Sequence, residues 1–111
     1  ALSLADTSEF GILRLIVSDS EKAQELLSES TIATKTPVTA VKMADEAGAL
    51  NEILSILDGE GINIEYMYAF TSPVSGSAYV VLRTDNTLHG EEVLNRNGIT
   101  TLSDADLKDI L

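Results

Sequence analysis

"ADEAGALNEILSILDGEGINIEYMYAF", residues 44–70, carries the pattern that decides the fold. Leu50, Ile53, Leu54 and Leu57 recur at i, i+3, i+4, i+7, which predicts a helix over Gly48–Asp58 with one apolar stripe. Gly59 and Gly61 then release it. From Ile62 to Phe70 the period drops to two, so Ile62, Ile64, Tyr66, Tyr68 and Phe70 are expected on one face of a strand. An acidic turn, Asp45-Glu46, with one glycine, Gly48, opens the helix.

Working outward, Val38–Met43 reads as the strand before this helix. Downstream, "TSPVSGS" at 71–77 is a hairpin with Pro73 and Gly76 as its turn residues. Ser77–Asp85 is a strand, and Asn86–Asn97 is a helix carrying Leu88, Val93 and Leu94. Gly98 closes that helix, and Ile99–Leu102 is a further strand. Ser103, with Asp106 three residues on, starts a short last helix. Residues 37–111 therefore read β-α-β-β-α-β, an α+β sandwich.

The first third of the chain repeats the later part of this unit. Leu2–Thr7, "FGILRLIV" at 10–17, a helix over Asp19–Ser30 with Ala23, Leu26, Leu27 and Ser30 on one face, and a strand "TIATKT" at 31–36 follow in the same order. Leu26-Leu27 corresponds to Val93-Leu94 and Ile32 to Ile99 at one offset. The chain thus divides into 1–36, a partial ββαβ repeat, and 37–111, a complete one. In such a sandwich the first strand sits between the third and the fourth. Without it their facing backbone groups are unpaired, which is costly when buried. The comparison predicts roughly 30 to 35 further residues upstream, or else a partner chain that donates the missing strand and helix.

Composition narrows the function classes. The 111 residues carry 18 acidic and 7 basic side chains, a net charge of -11, with the basic ones spread singly. Neutralising phosphates needs clustered Lys and Arg, so nucleic acid is an unsuitable partner. Tyr66, Tyr68 and Phe70 lack the basic neighbours of an RNA-stacking platform and are expected to pack in a core or interface. The longest apolar run is a few residues, so no membrane span is available. With no cysteine and His89 alone, the chain offers no thiolate or histidine metal cluster, and no cofactor motif is present. Cysteine-free composition fits a cytoplasmic setting. No serine has a His partner or a G-x-S-x-G elbow, so no catalytic residue is assigned. Some ferredoxin-like folds hydrolyse acyl phosphates, but the Asp45–Leu50 turn has no basic phosphate cradle.

Two readings of that turn stand side by side. Acidic residues ahead of a helix satisfy free amides and complement the dipole. Alternatively, Gly48 leaves the amides of Gly48, Ala49 and Leu50 open to a carboxylate, while Asp45 and the Asn63 side chain accept from an ammonium group. An α-amino acid presents both charges at that separation. Asn63 is opposite in phase to Ile62 and Ile64, which also suits a plain turn role.

These residues resemble an ACT domain, whose pattern is a strand, D-x-P-G-x-L, an amphipathic helix, then G-I-N-I opening the second strand. Asp45, Gly48, Leu50 and Gly61-Ile62-Asn63-Ile64 match; Ala47 stands where the family usually has proline. The chain is similar to the small stand-alone tandem-ACT proteins of bacteria. The resemblance implies a ferredoxin-like fold with helices on one face of an antiparallel sheet. It also implies side-by-side pairing of ACT units, within the chain and between chains as a homo-oligomer. Carried over by position, it implies amino-acid contacts at Asp45, Ala47, Gly48, Ala49, Leu50, Asn63 and Ile64, with a neighbour's strand around Ala1–Ala5. The expected function is a non-enzymatic regulatory module whose ligand-bound state is read by an enzyme or transcription factor. The alternative is a ligand-independent oligomerisation module.

Overall fold

A computed structural model describes residues 1–6, 8–71 and 76–110. In the complete repeat, β3 (Thr39–Ala44), α2 (Ala49–Gly59), β4 (Ile64–Thr71), β5 (Ser77–Thr84), α3 (Thr87–Arg96) and β6 (Thr101–Leu102) follow the expected order. The sheet runs β4-β5-β3-β6, every neighbour antiparallel. Its leading strand β3 lies between the third and fourth strands of the repeat, which is the ferredoxin-like arrangement. A short α4 (Asp104–Ile110) follows. It starts with a reciprocal cap: the Asp106 amide donates to Ser103 Oγ (3.2 Å) and the Ser103 amide to Asp106 Oδ2 (2.9 Å). The Ser103 amide and hydroxyl, both donating to Asp106 Oδ2, hold its carboxyl below the ordinary value of 3.8.

Both α2 and α3 pack on one face of this sheet. Ile53 and Leu57 from α2 and Val93 and Leu94 from α3 meet Val41, Val80 and Leu82 in the core, with Ile62 closing its edge. Each such side chain, fully buried, contributes about 1.5–3 kcal/mol. The two helices end alike. Gly61 and Gly98 take φ of 68° and 80°, which lets the next residue fold back: Ile62 N donates to Leu57 O (3.0 Å) and Ile99 N to Leu94 O (2.9 Å). Leu88, the first leucine of α3, is exposed.

The strand after α2 departs from the alternation read in the sequence. Ile64 opposes Thr84 while Tyr66 opposes Arg83, so Glu65 is an extra residue in a bulge. An inserted residue shifts the side-chain phase by one. Ile62 and Ile64 therefore pack in the core below the helices, whereas Tyr66, Tyr68 and Phe70 lie on the opposite face beside Val81 and Tyr79. On that helix-free face, Tyr66 stacks on Tyr68 and Phe70 on Tyr79, with ring centroids 6.5 and 5.2 Å apart. Burial pushes the Tyr68 phenol above its ordinary 10.0; Tyr66 adds to this and Arg14 opposes it.

The partial repeat forms β1 (Leu2–Asp6), β2 (Gly11–Leu15) and α1 (Ser20–Leu27). Its register repeats that of β4 and β5. Leu2 opposes Leu15 and Leu4 opposes Leu13, as Met67 opposes Leu82 and Ala69 opposes Val80. The sequence correspondence is thus a structural one. The expected strand at 31–36 is absent: Ile32–Pro37 is irregular. In the complete repeat β6 pairs with β3 alone, and the partial repeat has no counterpart of β3 to receive the segment. Likewise Ala23, Leu26 and Leu27 do not form a buried helix face, since no residue of α1 is fully buried.

The two sheets are not joined edge to edge, unlike the side-by-side pairing expected within the chain. Their contact runs through helix-free faces. The Arg14 guanidinium sits 3.8 Å above the Tyr66 ring, and Ala1, Ser3, Ala5, Arg14 and Ile16 are half-buried while their strand neighbours are exposed.

Candidate functional site

β3 ends at Ala44, and the chain crosses to the helix layer through Asp45-Glu46-Ala47-Gly48. Gly48 is the N-cap of α2 with φ of 90°, and α2 has no side-chain cap. A Cβ built there would meet nothing within 4 Å. The glycine is therefore required by its backbone conformation and not by close packing. The other helix starts are capped by side chains: Asp19 accepts from Lys22 N, Asn86 from His89 N, and Ser103 from Asp106 N. The acidic residues ahead of α2 do not cap it. Of the amides expected to be open, that of Ala49 donates to Glu46 O at 3.3 Å.

A half-open hollow of about 410 Å³ lies at this uncapped start. Ala47, Gly48 and Ala49 form one wall, and Gly98, Ile99 and Thr100, between α3 and β6, form the opposite one. Glu46 and Glu52 bring carboxylates to its lining; Lys42 borders it from a strand position opposite Tyr79, and both of these side chains face the helix-free side of the sheet. Carboxylates beside an uncapped helix N-terminus suit a small molecule that carries both a cationic and an anionic group. Lys42, Glu52 and the 98–100 segment were not singled out in the sequence. The 98–100 segment reaches the turn only because β3 pairs with β6, with Lys42 N donating to Thr100 O at 3.4 Å.

The remaining expected site residues are dispersed. Asp45 faces a second hollow with Met43, Ala69, Phe70, Thr71 and Ala78. Leu50 and Ile64 pack against the hydrophobic core. Asn63 is at the far end of α2, about 16 Å along the helix axis, where its backbone pairs with Asp85: Asp85 N donates to Asn63 O (3.0 Å) and Asn63 N to Asp85 Oδ1 (3.3 Å). One turn therefore does not gather Asp45, Gly48 and Asn63 around a single ligand. Ala1–Ala5 line neither hollow.

A profile of the family described as "ACT domain pair" matches residues 1–111. The chain belongs to this family. ACT domains are generally small-ligand regulatory modules, often amino-acid binding, and the family is not a catalytic one. Among solved structures, the chain is similar to the crystal structure of protein BT0572 from Bacteroides thetaiotaomicron, at 38% identity and a TM-score of 0.88. That match covers 97% of this chain and 74% of the Bacteroides chain. No curated protein matches. Among the described residues, no helix is long and apolar enough to cross a membrane, and no cluster of His, Asp and Glu could hold a metal ion.

Proposed function

We propose that this ACT domain pair binds an α-amino acid in the hollow at the start of α2 and acts as a non-enzymatic sensor. The observation that carries the reading is the α2 N-terminus, which has no side-chain cap and opens onto a hollow that Glu46 and Glu52 help to line. The ligand carboxylate accepts from the amides of Gly48 and Leu50, and its ammonium group faces the glutamates. Asn63 and Ile64 contribute only from a second ACT unit, because their own unit places them at the other end of the helix. Binding orders the 45–50 turn and tightens pairing between units, a population shift that a partner enzyme or transcription factor can read.

The test is a thermal-shift screen of the full polypeptide against the twenty amino acids, repeated with Gly48→Trp and Glu52→Lys. A rise in melting temperature with one or two amino acids, lost in both variants, is the expected result. A flat response at millimolar ligand would instead favour a ligand-independent pairing module. The exposed leucines of β1 and β2 already supply an apolar surface for that alternative.

A further inference from the structure

Charge in the hollow at the start of α2 is unbalanced. Glu46 and Glu52 both line it. Among the described residues the ion pairs lie elsewhere: Lys35 with Glu21, Arg83 with Glu65, and Arg96 with Glu60 and Glu92. Arg14 engages the Tyr66 ring instead. Lys42 borders the hollow but belongs to the other side of the sheet, opposite Tyr79. The whole chain adds to the imbalance with a net charge of -11, so the field over this opening favours cations.

The floor is different in kind. Met43, Ile53 and Ile99 line it, and all three belong to the hydrophobic core or pack against it. Glu52 is one helical turn beyond Gly48, a rise of about 6 Å along α2, with Glu52 N donating to Gly48 O at 3.1 Å. The hollow therefore combines the amides of an uncapped helix start, a carboxylate a turn further on, a second carboxylate before the turn, and an apolar floor.

We propose that the ligand is a basic α-amino acid, one that carries a second cation at the end of an aliphatic side chain. The proposal rests on the reading of this hollow as an amino-acid site and narrows it. The ligand carboxylate accepts from the amides at the start of α2. Its α-ammonium group pairs with one glutamate, and its side-chain cation pairs with the other. A stem of about three or four methylenes, as in arginine or lysine, spans a helical turn and lies on Met43, Ile53 and Ile99. Each charge then has a partner. A neutral amino acid leaves one glutamate unpaired, and an acidic one brings a further carboxylate against the two already there.

The test compares matched ligands by calorimetric titration of the full polypeptide: lysine with norleucine, and arginine with citrulline, which keep the stem and lose the cation. Lysine or arginine should bind at least about tenfold tighter than its neutral counterpart, a ratio that falls to about twofold in Glu46→Gln or Glu52→Gln. Both glutamates are exposed, so neither variant disturbs the core. Cadaverine, which is lysine without its carboxylate, should bind at least about tenfold more weakly than lysine. Neutral amino acids that bind as tightly as basic ones, with binding lost in Gly48→Trp, would overturn this proposal and leave the amino-acid reading of the hollow standing. Lysine binding that neither glutamine variant weakens, or that cadaverine equals, would overturn it as well. No binding by any amino acid would overturn both readings together.

Discussion

Two hairpins in this molecule have the same register and opposite fates. In the β4–β5 hairpin, Val80 and Leu82 of β5 are sealed below α2 and α3, while Met67, opposite Leu82 on β4, stays exposed, and β5 is paired on both edges. In the β1–β2 hairpin the corresponding leucines meet solvent, and β2 is paired on one edge only. The strands pair alike because alternation and turn length set register locally. Burial differs because it depends on a second layer, which the sequence of a hairpin does not contain. The same contrast reaches the helix ends. Gly98 lets α3 close with a backward bond from Ile99 that packs this residue on the core, whereas its counterpart Thr31 keeps a negative φ and the next residue, Ile32, projects into water.

The strongest probe of this comparison is the leucine pair. Leu82→Ala should cost about 2–5 kcal/mol in urea denaturation, as a fully buried leucine emptied from a packed core. Leu15→Ala, at its partly exposed counterpart, should cost clearly less in the same measurement. Equal costs would break the contrast between the two hairpins. At the helix ends, Gly98→Ala should cost about 1–2 kcal/mol, because an L side chain is disfavoured at φ of 80°. Thr31→Ala should change stability by less than about 0.5 kcal/mol, measured in the same denaturation series.

The partial repeat also suggests two substitutions that stabilise the complete one. Ala23 and Val17 stand where the complete repeat has Gly90 and Thr84. A Cβ at Gly90 would lie 3.5 Å from Thr84 Oγ1, an ordinary contact, so Gly90→Ala should gain up to about 1 kcal/mol of helix propensity. The Thr84 hydroxyl is buried without a hydrogen-bond partner, so Thr84→Val should be neutral or stabilising, read as an unchanged or raised melting temperature. A clear loss in either case would mean that this contact is tighter than its first-repeat counterpart.

The smallest effect concerns α4, which follows the complete repeat only; after the partial one, Pro37 leads into β3 instead. The folded state depresses the Asp106 carboxyl, so its contribution is present above the ordinary value of 3.8 and is lost as pH falls through the lower folded one. Amide spectra should show the Ser103 and Asp106 signals moving on acidification below about pH 4, without a change in the core.

Much of this architecture is legible in the residues themselves. The stripe from Leu50 to Leu57, the closing glycines Gly61 and Gly98 and the Ser103–Asp106 cap are local patterns whose geometry follows from chain stereochemistry. The misreadings share one cause, a dependence on residues distant in sequence. The bulge at Glu65 exists because β4 must meet β5 in a register set elsewhere, and it turns Tyr66, Tyr68 and Phe70 away from the core face of Ile62 and Ile64. The segment at 31–36 has strand-forming residues but no strand to pair with. At the candidate site, Gly48 is readable as the residue that opens α2, while Gly98, Ile99 and Thr100 join it only through the β3–β6 pairing. Asn63 is close to the turn in sequence and a helix length from it in space.

The measurement that tests the sensor reading most directly is a titration of the ¹⁵N-labelled full polypeptide with each amino acid, followed through its amide spectrum. The account predicts saturable shifts for one or two amino acids, largest at Gly48, Ala49, Leu50 and Thr100 on the two walls of the hollow. Shifts centred on other residues, or none at millimolar ligand, would contradict it.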